Sequence, residues 1–142
     1  MDPRCAPYSV SVETRLDSHY ANQVVSLGTI VELFGVAGTK LAMMLDGDAG
    51  FMRAFEGLEF IAPAYQGDYV RVSAQLLSVG RTSRKRLYEA HVVARAYGVG
   101  TEASHGEVLA EPLLIARAIG TTVTPIEFQR TTPDEFRPKR KS

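Results

Sequence analysis

Between a segment of alternating polar and apolar residues and a long apolar run, the sequence places Asp17-Ser18-His19-Tyr20-Ala21-Asn22. An acid, an imidazole, a phenol and an amide thus fall within six residues. An imidazole with an ordinary pKa of about 6.5 carries a proton readily near neutrality, so His19 is a candidate acid or base. Asp17, two residues earlier, is placed to orient it, and Tyr20 and Asn22 offer hydrogen bonds to a substrate. The same residue types also build capping turns ahead of helices, and that reading stands beside the catalytic one.

Two carboxylates join this group. Glu32 interrupts an apolar run, and a Glu is seldom buried there without a partner; it either edges the apolar face toward solvent or carries a proton. Glu59, in "LEFIAP", alternates with Leu58 and Phe60 and so leaves its strand on the opposite face from them. It enters a pocket or meets water. Arg81, Arg84, Lys85 and Arg86 form a dense basic cluster, suited to phosphate groups or to charging an exposed strand edge, with Ser83 beside it. His91 and His105 lack partner spacing for a metal, and Asp46-Gly47-Asp48 reads as a turn rather than a calcium loop. No metal is expected.

The elements that must hold these groups follow from composition and periodicity. The chain has 142 residues, 45% hydrophobic and 23% charged, with sixteen Lys plus Arg against sixteen Asp plus Glu. This is the profile of a globular domain without a global field for nucleic acid or an anionic membrane. A single cysteine, Cys5, and an N-terminus without the apolar core of a secretory signal point to the cytoplasm. Interruptions at Glu32, Lys40 and Asp46 argue against a membrane span, which needs roughly 20 predominantly apolar residues.

Tyr8 to Leu16 alternates as a half-buried strand. From Val24 to Leu45, apolar residues at Leu27, Ile30, Val31, Phe34, Ala37, Leu41 and Met44 recur at three- and four-residue spacing, which predicts one long helix. Gly28, Gly35 and Gly38 inside it each cost on the order of 1 kcal/mol, a cost that close backbone approach to a sheet, helix or ligand would offset. Four strands are then predicted, at Phe51–Ile61, Tyr69–Val79, Ser83–Ala96 and Glu107–Thr122, the third and fourth separated by the loop "YGVGTEASHG". A domain over 1–130 and a loose polar tail over 131–142 complete the reading. An α+β antiparallel sheet wrapped around a long central helix is the hotdog fold, and exposed sheet edges invite a second copy.

The segments "DSHYANQVV", "LFGVAGTKL", "DGDAGF", "LEFIAPAYQGDY" and "VGRTSRKRLYEA" resemble the hotdog-fold β-aminoacyl-CoA ammonia lyases, which act on β-alanyl-CoA or 3-aminobutyryl-CoA. The likeness runs from about Asp17 to Ala90 and more loosely through "AEPLL" near Glu111. It implies an acyl-CoA or related carrier-bound thioester substrate, no metal or organic cofactor, and active sites between the two chains of a homodimer that can build a trimer of dimers. The chain departs from the pattern where the family has an acid after Phe-Gly, here Val36, and where it has a Glu, here Lys40.

Eliminating ammonia needs a base for the proton α to the thioester carbonyl, stabilisation of the enolate oxygen and a proton for the amine. The residues themselves offer His19 and Glu32 or Glu59 for the proton transfers, with Asp17 in support, and Tyr20, Asn22, Gly28, Ser83, Arg81, Arg84 and Arg86 for substrate binding. Two alternatives use the same fold: a thioesterase, whose base activates water instead, and a non-catalytic acyl-CoA-binding or assembly subunit, for which Val36 is the main support.

Overall fold

Ser26 caps the long helix in a computed structural model that describes residues 1–17, 19, 22–97 and 105–137. Its hydroxyl accepts a hydrogen bond from the Thr29 amide, satisfying one of the donors a helix start leaves unpaired. The helix, α1, runs Leu27–Asp46 and stops at Gly47, whose left-handed φ of 68° lets its amide reach the Met43 carbonyl. Ile30, Phe34, Ala37, Leu41 and Leu45 form its buried stripe; the spacing predicts the first four, but Leu27 and Met44 of the predicted face are exposed and Leu45 is buried instead.

Five strands among the described residues form one antiparallel sheet: β1 (Ser9–Arg15), β2 (Phe51–Phe60), β3 (Tyr69–Val79), β4 (Ser83–Tyr97) and β5 (His105–Val123). The order across it is β1-β3-β4-β5-β2. Val70, Val72, Ala74 and Leu76 of β3 point inward beneath α1, and Tyr88, Ala90 and Val92 of β4 continue that floor. The period of two thus places the sheet's apolar side against the helix's apolar stripe. Strand bounds shift by one or two residues from the sequence reading, most at β5, which begins at His105.

By length and composition α1 is long and apolar enough to cross a membrane, contrary to the sequence expectation. Its apolar stripe lies on the chain's own sheet, the arrangement of a core helix.

The chain beyond 130 is also more ordered than a loose tail. The Arg130 and Thr131 amides bond the Asp46 carbonyl, the Thr132 hydroxyl bonds the Asp46 carboxylate at 2.5 Å, and a 3-10 turn at Asp134–Phe136 buries Phe136 against Tyr8. The polar composition of this segment concealed that its few apolar and hydroxyl groups clasp the end of α1. Residues 138–142 of the expected tail lie outside the described residues, as does most of the loop between β4 and β5.

At Gly38 the sheet's side chains press close against the helix. A Cβ there would run into the Tyr88 hydroxyl and meet the Arg86 guanidinium at 2.9 Å. The expectation of close approach therefore applies to Gly38; a Cβ at Gly28 would make only an ordinary contact, and at Gly35 it would meet nothing within 4 Å.

Candidate active site

The face of α1 turned away from its buried stripe presents Glu32, Val36, Thr39, Lys40 and Met43 in successive turns. With Gly35 and with Val12 of β1 they line a groove of about 580 Å³. Residues four apart share a helix side, so Glu32, Val36 and Lys40 form one row with an acid at one end, a half-exposed valine in the middle and an ammonium at the other. Lys40 Nζ reaches the Ser11 carbonyl across the groove at 3.4 Å. Glu32 is exposed and makes no ion pair among the described residues.

A second depression, of about 770 Å³, lies off the N-terminal end of α1. Its walls come from the end of β1 (Arg15, Leu16, Asp17), from Tyr65 to Tyr69 ahead of β3, and from Arg95 to Tyr97 of β4. Two loops are tied together to make it: Leu16 and Asp68 exchange backbone contacts through the Leu16 amide to the Asp68 carbonyl and the Gly67 amide to the Leu16 carbonyl, and Gln66 Nε2 bonds the Asp17 carbonyl at 2.8 Å. Asn22 and Gln23 cross into the helix with φ of 49° and 66°. A left-handed Gln is uncommon; the Gln66 amide bonded to the Gln23 carbonyl holds it there.

Asp68 is the anchor of this cleft. Buried at 1% exposure, it accepts the Tyr65 amide and a two-pronged pair from Arg95, both N–O distances 2.9 Å. The hydrogen bonds to Asp68 push the Arg95 pKa further up, so this guanidinium is charged at every accessible pH. It lies over the Tyr65 ring at 5.1 Å.

The sequence candidates fall in separate places. Asp17 lines the cleft and pairs with Arg15 at 2.7 Å in full solvent; His19 is exposed nearby, while Ser18 and Tyr20 lie outside the described residues. Asn22 is exposed at the cleft's edge, and Gly28 is exposed in the first turn of α1. Glu32 belongs to the groove. Glu59 is exposed on β2 in register with Arg117, and lines neither depression. Within one chain Glu32 and Glu59 are not brought together.

The basic cluster requires correction. Arg84 and Arg86 share a strand face as expected, but it is the face under α1, and both are fully buried. Arg84 Nε and Nη2 grip the Asp46 carboxylate at 2.8 and 2.9 Å. Arg86 Nη1 donates to the Gly38 carbonyl at 2.6 Å and to Tyr88 Oη at 3.2 Å, and its Nε and Nη2 have no partner among the described residues. Neither guanidinium reaches the surface to meet a phosphate. Arg81 and Lys85 remain exposed, Lys85 beside Glu56, and Ser83 is half-buried at the start of β4. Alternation along β4 was legible; which side was inward was not.

Tyr65, Asp68, Tyr69 and Arg95 escaped the sequence reading. The available signal was "QGDY", which appears above only within a segment quoted for its resemblance. Among the described residues no group of three or more His, Cys, Asp or Glu is gathered for a metal.

The model of the Thioesterase superfamily matches residues 22–94, which span α1, β2, β3 and most of β4. The chain belongs to this superfamily. Its members' hotdog architecture is the one described above. Within the superfamily, the chain is 37% identical over 115 residues to 3-aminobutyryl-CoA ammonia lyase of Acetoanaerobium sticklandii, covering 80% of this chain and 90% of that protein. The structure of β-alanyl-CoA:ammonia lyase from Clostridium propionicum superposes with a TM-score of 0.82 at 25% identity, over 90% of this chain and 92% of the other. A hexameric broad-specificity acyl-coenzyme A thioesterase superposes less closely, with a TM-score of 0.66 at 27% identity, over 87% and 80%. This superfamily member is thus most similar, of these, to the ammonia lyases.

Proposed function

We propose that this chain catalyses the reversible elimination of ammonia from a β-aminoacyl-CoA, giving an enoyl thioester. The 37% identity extending over 90% of 3-aminobutyryl-CoA ammonia lyase is the observation that carries the reading. The groove along α1 is its reaction site. Glu32 takes the proton α to the thioester carbonyl, the enolate oxygen is met by backbone donors at a helix start, and the amine leaves with a proton from His19, delivered where a second copy closes the site. Elimination breaks one C–H and one C–N bond and forms the C=C bond, with the thioester itself acidifying the carbon. It needs no metal or organic cofactor.

The family acid replaced by Val36 stands one helical turn from Glu32, on the same side, so Glu32 can serve the same region of the groove. We place the protein in the cytoplasm and assign it a homodimer, with a trimer of dimers as the larger assembly. The hexameric thioesterase relative and the exposed apolar residues Phe51, Leu58 and Ile61 on and beside edge strand β2 support this assembly. Static light scattering gives its mass directly.

Thioester hydrolysis is the second reading, supported by the thioesterase likeness and by the exposure of Glu32, which can equally activate water. Incubation with β-alanyl-CoA and with saturated acyl-CoAs separates the two. Ammonia release with the thioester intact supports the lyase; release of coenzyme A thiol from saturated substrates supports the hydrolase.

A further inference from the structure

We infer that the groove along α1 takes an acyl chain ending in a second carboxylate, which Lys40 holds, so that the substrate class is the coenzyme A monothioester of a β-amino dicarboxylic acid. This rests on the proposed reaction at Glu32 and names the acyl group it acts on.

The charges that line the groove are opposite in sign and set apart. Glu32 stands toward the start of α1, Thr39 and Lys40 two turns further on, and Val36 lies exposed between them. Eight residues of helix put about 12 Å of rise between the acid and the ammonium, and the two form no ion pair. A ligand bearing opposite charges in the matching order complements this row. A β-amino group is a cation near neutrality, drawn to Glu32 and repelled by Lys40. The thioester and its amine therefore lie at the Glu32 end, and the acyl tail runs past Val36 toward Lys40.

Lys40 is placed to meet an anion there. Among the described residues it has no carboxylate partner, and its Nζ makes one long contact, 3.4 Å to the Ser11 carbonyl of edge strand β1. That contact draws the ammonium across the groove, yet at such a length it is readily exchanged for a charge-assisted bond. Glu13, two residues along β1, is already paired with Arg71. The Thr39 hydroxyl, also in the lining, adds a second donor at this end. A short neutral tail ends against Val36 and leaves the ammonium with nothing to pair.

Calorimetric titration at low ionic strength with S-butyl-coenzyme A and S-(4-carboxybutyl)-coenzyme A, thioethers that differ by one terminal carboxylate, tests this. The wild type is expected to bind the carboxylated ligand about fivefold more tightly, the upper range for an exposed ion pair, and to lose the difference as salt is added. K40M should bring the ratio of affinities close to one and K40E should reverse it. K85M, which removes an exposed ammonium from the other face of the sheet, keeps the wild-type ratio; circular dichroism verifies the fold of each variant. Binding of neither ligand, equal affinities in the wild type, a wild-type ratio in K40M, or a ratio lost in K85M as well would overturn the assignment. Thioethers neither lose ammonia nor hydrolyse, so discrimination by a protein without lyase turnover would reject the proposed reaction and leave the acyl class standing, and turnover without discrimination would do the reverse.

Discussion

The carboxylate of Asp46, the last residue of α1, is gripped through both oxygens by the guanidinium of Arg84 on β4, and neither side chain is exposed. The Thr132 hydroxyl completes the carboxylate's shell, and the Gly80 and Ser83 carbonyls accept from Arg84 Nη1. Helix end, β3–β4 turn and C-terminal strap are thereby fixed at one point.

Removing one member of such a pair strands a buried charge. Asp46→Ala is expected to cost about 3–5 kcal/mol of unfolding free energy, read as a fall in the urea midpoint. Because much of that cost is the uncompensated guanidinium, the double variant D46A/R84M should recover part of it; a double variant no more stable than D46A would show that the pair is not the source.

The glycines of α1 are expected to respond oppositely. Gly38→Ala drives a methyl into Tyr88 and Arg86 and should destabilise by about 1–3 kcal/mol. Gly35→Ala meets open space and should be neutral or stabilising by up to about 1 kcal/mol through helix propensity. Thermal melts of the two variants check the contrast.

This contrast marks what the sequence can and cannot convey. The three- and four-residue spacing from Leu27 to Leu45 and the alternation of Val70, Val72, Ala74 and Leu76 report burial directly, so the helix and the sheet were legible. Neither pattern says which of two polar faces closes on the core. Arg84 and Arg86 read as a surface patch because charge suggests solvent, and only the pairing of Arg84 with Asp46, 38 positions away, reverses it. Of the site, Glu32 was legible as an anomaly in an apolar run. The cleft was not, because Arg15, Asp68 and Arg95 meet only after β1, β3 and β4 are laid side by side.

Cys5 is fully buried, and burial pushes its thiol pKa up. Raised in the folded state, it contributes stability that is complete below the ordinary thiol pKa of 9.0 and is lost as pH rises through the folded value. At pH 8 a thiol-specific disulfide reagent should therefore label the native protein only as fast as it opens and label the urea-unfolded chain at once. Rapid labelling of the native protein would contradict the packing of the N-terminal turn.

Glu32→Gln keeps the shape of the groove and removes its proposed base. Loss of a positioned general base is expected to lower kcat by about 10²–10⁴-fold with KM and the melting temperature little changed. A variant with wild-type turnover would remove Glu32 from the mechanism.

The central claim is that the chain adds and removes ammonia at a CoA-bound enoyl group. Crotonyl-CoA mixed with the purified protein, with and without ammonium at mildly alkaline pH, reports on it through the enoyl thioester absorbance. The account expects that absorbance to fall only when ammonium is present, with no coenzyme A thiol released. Loss of absorbance or appearance of thiol at the same rate without ammonium would contradict it.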